Sequence, residues 1–194
     1  MRWLFADYHK KGEKIIWLPY GITFKYLSPK DQIPNEKKFV EDTNRILNSF
    51  EKKSEAEKNS IASGSLSITD IPIVYANALL ATGNFVLVQY ENRDLALEFF
   101  KKAISYSPDY YKTYEILGVY YLNIKDCSNA EKSLLKSIDL YPYDRTAFVF
   151  LYGTYSLCYN DKVKQKFVTD LYQQTFQKDF FKDKCVGFKF FYEF

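Results

Sequence analysis

Pro108 and Pro142 are separated by one full period, and the residue classes around them recur at the same offset of 34. Ala96 answers to Ala130, Phe100 to Leu134, Ala103 to Ser137, Ile104 to Ile138, Leu80 to Tyr114 and Leu87 to Tyr121. A fixed period of this length means one supersecondary unit used repeatedly, each copy burying its apolar face against the next. Proline at the end of a period stops a helix, because its ring clashes with the preceding turn and it has no N–H. Small residues let two helix backbones approach at a crossing, and large ones wedge between neighbouring pairs. The recurrence therefore predicts antiparallel helix pairs.

The clearest unit, Tyr111 to Asp144, carries Tyr114, Leu117, Gly118, Tyr121, Ala130 and Pro142 at its fourth, seventh, eighth, eleventh, twentieth and thirty-second positions. With these residues the stretch from about 72 to 176 resembles the tetratricopeptide repeat family, whose unit is a 34-residue helix-turn-helix. The resemblance implies a mainly α fold, a TPR-like α-solenoid of antiparallel helix pairs. The preceding unit, Asn77 to Tyr110, has Gly83 and Asn84 where Leu and Gly belong, which predicts a kink or a shift of register in its first helix. A third unit begins at Arg145 with Phe148, Leu151 and Tyr155, then decays: Lys164 stands at the small crossing position, as expected of a terminal cap. Its second helix is expected over 161–176 with Val163, Phe167, Val168 and Leu171 on its apolar face. From Asp179 to Phe194 a stripe of Phe180, Phe181, Cys185, Phe188, Phe191 and Tyr192 predicts a helix closing the last open face. The alternative use of Phe180–Phe194 is an exposed aromatic patch for oligomerisation.

The stretch from Met1 to Asn59 follows a different pattern. Ile15–Leu18 and Ile22–Tyr26 are β-branched and aromatic runs on either side of Pro19-Tyr20-Gly21, which reads as strand, turn, strand, and Lys10-Lys11-Gly12 is a second turn candidate. Asn35 is placed to cap a helix running to Asn59, with Phe39, Val40, Thr43, Ile46, Leu47 and Phe50 on one face. The expected organisation is a strand pair and helix over 1–59, a Ser-rich linker over 60–70, helical repeats over 71–176 and a closing helix over 177–194.

Several function classes fall away on composition. The net charge of +3 comes from residues 1–69, with 12 basic and 9 acidic side chains, while residues 70–194 hold 15 of each. No basic stripe follows, so no nucleic-acid partner is expected. Cys127, Cys158 and Cys185 are an odd number at wide spacing, read as small core residues and neither a disulfide framework nor metal ligands. His9 has no identifiable nucleophile or metal partner, and no glycine-rich phosphate loop occurs, so no enzyme, cofactor or metal is expected. The uncharged run Ile71–Tyr90 has the length of a membrane span but contains Asn77, Thr82, Asn84 and Gln89, and reads as a buried helix. Without a recognisable signal sequence a cytoplasmic site is favoured, or an extracytoplasmic one if the chain is a processed tail. The 37 aromatic residues, 19% of the chain, are read chiefly as packing for a solenoid with few units.

The family resemblance implies a concave groove lined by the first helix of each unit. Carried onto this sequence, its partner-facing residues are Ala81, Phe85, Val88, Lys112, Glu115, Val119, Leu122, Asn123, Val149 and Leu157. Only Lys112 and Asn123 match the Lys and Asn clamp with which chaperone-binding members hold a terminal carboxylate. The leading expectation is a non-enzymatic adaptor that binds a protein or peptide through this groove or its rim, or whose groove is filled in cis by the Asn35–Phe50 helix or by the aromatic strands around Trp17. A second is a soluble accessory tail of a membrane-associated assembly, because Leu18–Tyr26 is similar to the stretch after the last span in bacterial proteins of the O-mannosyltransferase type. A third is a holder of a hydrophobic ligand.

Overall fold

The computed structural model describes residues 16–20, 23–27, 31–58 and 71–183. His9, the Lys10–Gly12 turn, the 60–70 linker and the aromatic stretch from Cys185 to Phe194 lie outside them. The described chain is mainly helical, with seven α-helices and one two-stranded antiparallel sheet. It divides into two compact units, Met1–Pro108 and Asp109–Phe194.

In the first unit β1 (Ile16–Tyr20) pairs antiparallel with β2 (Thr23–Leu27), and Tyr20 stands opposite Thr23. The reversal thus falls after Tyr20, leaving Pro19 and Tyr20, expected in the turn, inside the strand. Pro19 is tolerated there. In a two-residue hairpin the closing pair exchanges the hydrogen bonds, and Pro19 sits opposite Phe24 at the next pair, where no N–H is needed from it. Helix α1 (Glu36–Lys58) starts where expected, with Asn35 Oδ1 accepting from the Lys38 N–H at 2.9 Å. Phe39, Thr43 and Leu47 on this helix are buried.

Helix α2 (Ile71–Gln89) and helix α3 (Arg93–Tyr106) form the unit's hairpin. By length and composition α2 could cross a membrane, yet Tyr75, Ala76, Leu79, Leu80 and Val86 are buried within the unit. Gly83 does not break it. A Cβ at Gly83 would lie 2.5 Å from Phe100 Cε1, so this glycine makes the close crossing with α3. The second unit repeats the device between α4 (Tyr111–Asn123) and α5 (Cys127–Leu140), where a Cβ on Gly118 would lie 2.5 Å from Leu134 Cγ. Phe100 and Leu134 sit one period apart, whereas the offset from Gly83 to Gly118 exceeds the period by one, so the expected register shift is a single residue.

The turns repeat as well. Glu91, Lys125 and Asn160 all adopt left-handed backbone, at φ 55°, 61° and 47°. Each is followed by a residue whose side chain caps the next helix. Asn92 accepts from the Leu95 N–H, Asp126 from Asn129, and Asp161 from Val163 and Lys164. The third of these turns joins α6 (Arg145–Leu157) to α7 (Lys162–Phe176).

Three expectations change in this unit. The inward face of α7 is Gln165, Val168 and Tyr172, with Leu171 half-buried, while Val163 is 81% exposed and Phe167 also faces outward. Tyr172 sets that rotation: its ring packs against Phe148 at 5.5 Å and Phe180 at 5.1 Å between centroids. The closing helix does not begin at Asp179. Asp179–Asp183 makes a single turn, with the Asp183 N–H on the Asp179 carbonyl at 3.0 Å, which drops Phe180 into the core of Phe148, Leu151, Val168 and Tyr172. Phe180 is thus packing material and no external contact. Finally, Cys127 and Cys158 are neither core residues nor unpaired: they form a disulfide. Helices α5 and α6 run back to back around the Pro142–Tyr143 turn, and the two cysteines lie equally far along the chain on either side of it.

Candidate interaction site

Of the ten residues assigned to the groove, those of the first unit are mostly occupied by the unit itself. Ala81 and Phe85 are buried, and Phe85 packs against Phe39 of α1 at 4.8 Å and Tyr90 at 5.7 Å. The start of α1 is fastened there by two polar contacts. The Tyr90 hydroxyl donates to the Pro34 carbonyl at 2.8 Å, and the Asn92 amide donates to both oxygens of the Glu36 carboxylate at 3.1 and 3.2 Å. Burial first, and Glu36 second, raise the Tyr90 hydroxyl to about 12, so it stays a donor. Val88 alone is open, 56% exposed.

In the second unit the residues disperse. Val149 belongs to the core, Val119, Leu122 and Asn123 are half-buried on α4, and Leu157 is 59% exposed at the end of α6. Only Lys112 and Glu115 come together, one helical turn apart on α4, with Lys112 Nζ 2.7 Å from Glu115 Oε2. Asp144, which sequence reasoning missed, completes the set. It caps α6 by accepting from the Thr146 N–H at 3.0 Å and places its other oxygen 3.7 Å from Lys112 Nζ. An aspartate directly before an apolar helix was the available signal.

No family model matches this chain, and no curated protein matches it.

Electrostatics at this cluster follow from burial. Glu115 is raised to about 8, first by burial and then by the neighbouring Asp144 carboxylate, against the pull of Lys112. Burial also pushes Asp144 upward, but Glu115, Lys112 and the Thr146 N–H outweigh it and hold Asp144 below the usual carboxylate range. Burial thus favours the protonated form of Glu115, while Asp144 stays ionised. For Lys112 the attraction of Glu115 and Asp144 exceeds the cost of burial and raises it. A lysine already held by Glu115 and paired with the Asp144 carboxylate is poorly placed to clamp a partner's carboxylate.

Around this cluster lies a run of tyrosines at the end where α4 starts, α5 finishes and α6 starts. Tyr110 meets Tyr111 at 5.6 Å, Tyr111 meets Tyr141 at 4.6 Å, and Tyr141 meets Tyr143 at 5.8 Å. Tyr143 is 61% exposed. Such rings offer an apolar face and a polar tip, the combination enriched at protein interfaces. At the opposite end Glu131 accepts from the Tyr155 hydroxyl at 3.0 Å and from Lys164 Nζ at 2.8 Å. Lys164, where a small residue was expected, keeps its ammonium at the surface over the Tyr155 and Tyr159 rings, at 5.0 and 4.9 Å.

Proposed function

We propose that the chain is a non-enzymatic protein-binding module of the tetratricopeptide type, an adaptor that takes a peptide or helix on its second unit. The observation that carries this reading is the threefold turn. Left-handed residue, capping side chain and new helix recur at Glu91–Asn92, Lys125–Asp126 and Asn160–Asp161. Two of the hairpins also cross on a glycine. Local geometry reproduced at a near-constant period is the mark of a repeat architecture, and such architectures serve as extended binding surfaces. The first unit buries Phe85 under its own α1, which favours the groove being filled in cis there and moves the partner to α4 or to the tyrosine rim.

A displayed peptide library panned against the full chain tests this. Peptides enriched on the wild type are then measured against Val119→Glu and Tyr143→Ala. A tenfold or greater loss with Val119→Glu assigns the α4 face, and the same loss with Tyr143→Ala assigns the rim. Equal affinity for all three proteins, or no enrichment on the wild type, removes the reading.

A further inference from the structure

Cys127 opens α5 and Cys158 caps the end of α6, with their Cα atoms 6.0 Å apart. That separation lies within the window a disulfide spans. Their alignment comes from the fold. In an antiparallel helix pair, residues equally distant from the turn come level. One turn further in, Glu131 and Tyr155 are level too and hydrogen-bonded, and Leu134, Leu151 and Val168 fill the core below. The helix ends are thus held together by other contacts, and the sulfurs meet where the packing puts them. Both cysteines are half-buried. In a reducing cytosol such a pair is kept as thiols.

We propose that this protein works in an oxidising compartment, where Cys127 and Cys158 are joined as a permanent crosslink between α5 and α6. The bond forms by exchange with an external protein disulfide. One cysteine thiolate attacks a sulfur of the donor, giving a mixed disulfide and releasing the donor's first thiolate. The second cysteine thiolate attacks the chain's sulfur in that mixed disulfide and expels the donor's second thiolate. The two cysteines lose two protons and two electrons, and the donor disulfide is reduced to a dithiol.

The test begins in cells of the native source, quenched in acid and treated with a thiol-alkylating reagent before the full chain is digested without reductant. The Cys127 and Cys158 peptides are expected as one crosslinked species, lighter by two hydrogens than the separate peptides together. Two individually alkylated peptides, or a crosslink from either to Cys185, overturn the proposal. A second arm measures thermal unfolding of the oxidised full chain. Reductant is expected to lower the midpoint of the wild type and leave the Cys127→Ser/Cys158→Ser double variant unchanged. A wild type indifferent to reductant overturns the structural role, even if the double variant fails to fold. A third arm makes the full chain in one host with and without an export leader. Crosslinking is expected in the exported protein alone, and equal crosslinking in the reducing cytosol overturns the assignment of compartment.

Discussion

Glu115 holds its proton past neutrality because burial, and then the neighbouring Asp144 carboxylate, disfavour its ionised form. Its folded value of about 8 stands above the ordinary 4.5, so the folded chain binds more protons than the unfolded chain between those limits. Stability from this group is therefore complete below about pH 4.5 and is lost as pH rises through 8. Asp144 runs the other way, contributing stability above the usual carboxylate range that is lost only in stronger acid. Glu115→Gln copies the protonated form. Thermal midpoints are expected to agree near pH 5 and to favour the variant at pH 9, by on the order of 1–3 kcal/mol. Midpoints that fall in parallel from pH 5 to 9 would place the titration elsewhere, with Lys112 and Tyr111 the neighbouring groups to examine. Gly118 makes the complementary case for size. Gly118→Ala gains about 1 kcal/mol of helix propensity but drives a methyl into buried Leu134, costing about 1–3 kcal/mol. A net loss in urea unfolding is expected, reduced in the Leu134→Ala background.

The helices illustrate what pattern reading reaches and where it fails. Lys125 and Asp126 are adjacent, yet substitutions there should act in opposite directions. Lys125→Gly relieves a left-handed backbone and is expected to stabilise by up to about 1 kcal/mol, while Asp126→Ala removes the α5 cap and is expected to cost about 1 kcal/mol. Denaturant midpoints of the full chain separate the two. The offset of 34 made the hairpins and the glycine at position 118 legible, and the residue type before the run made Asn35's cap legible, because each is a local requirement. The face of α7 was not legible from Val163, Phe167, Val168 and Leu171. Its rotation is decided by Tyr172 meeting Phe148 and Phe180, the last of which lies beyond the helix. The Lys112–Glu115 pair stands in the sequence one helical turn apart, but Asp144 joins it only through the packing of α6 beside α4. Cysteine spacing hid the disulfide because it was read along the chain, whereas distance from the Pro142–Tyr143 turn brings the two sulfurs level.

Seen as a whole, the chain has two compact units built on different plans. The first combines a strand pair with a helical hairpin and uses α1 to cover Phe85, and the chain's net positive charge arises within the span 1–69. The second is all helix among its described residues, and its core of Leu134, Phe148, Leu151, Val168, Tyr172 and Phe180 draws entirely on its own sequence. That core is sealed by Asp183, whose carboxylate accepts from the Tyr172 hydroxyl at 2.7 Å and from Arg145 Nε at 3.2 Å. Arg145→Met is expected to lower the thermal midpoint, because it strands a buried carboxylate with less compensation, although Lys178 at 3.9 Å offsets part of the loss. The crosslink has one more consequence for the molecule. Between its two cysteines the backbone passes through an exposed tip at Tyr143, the kind of place where proteases nick a folded chain. A cut after Tyr143 opens a loop that is already closed elsewhere, so the two fragments remain one covalent body, separable on a denaturing gel only after reduction.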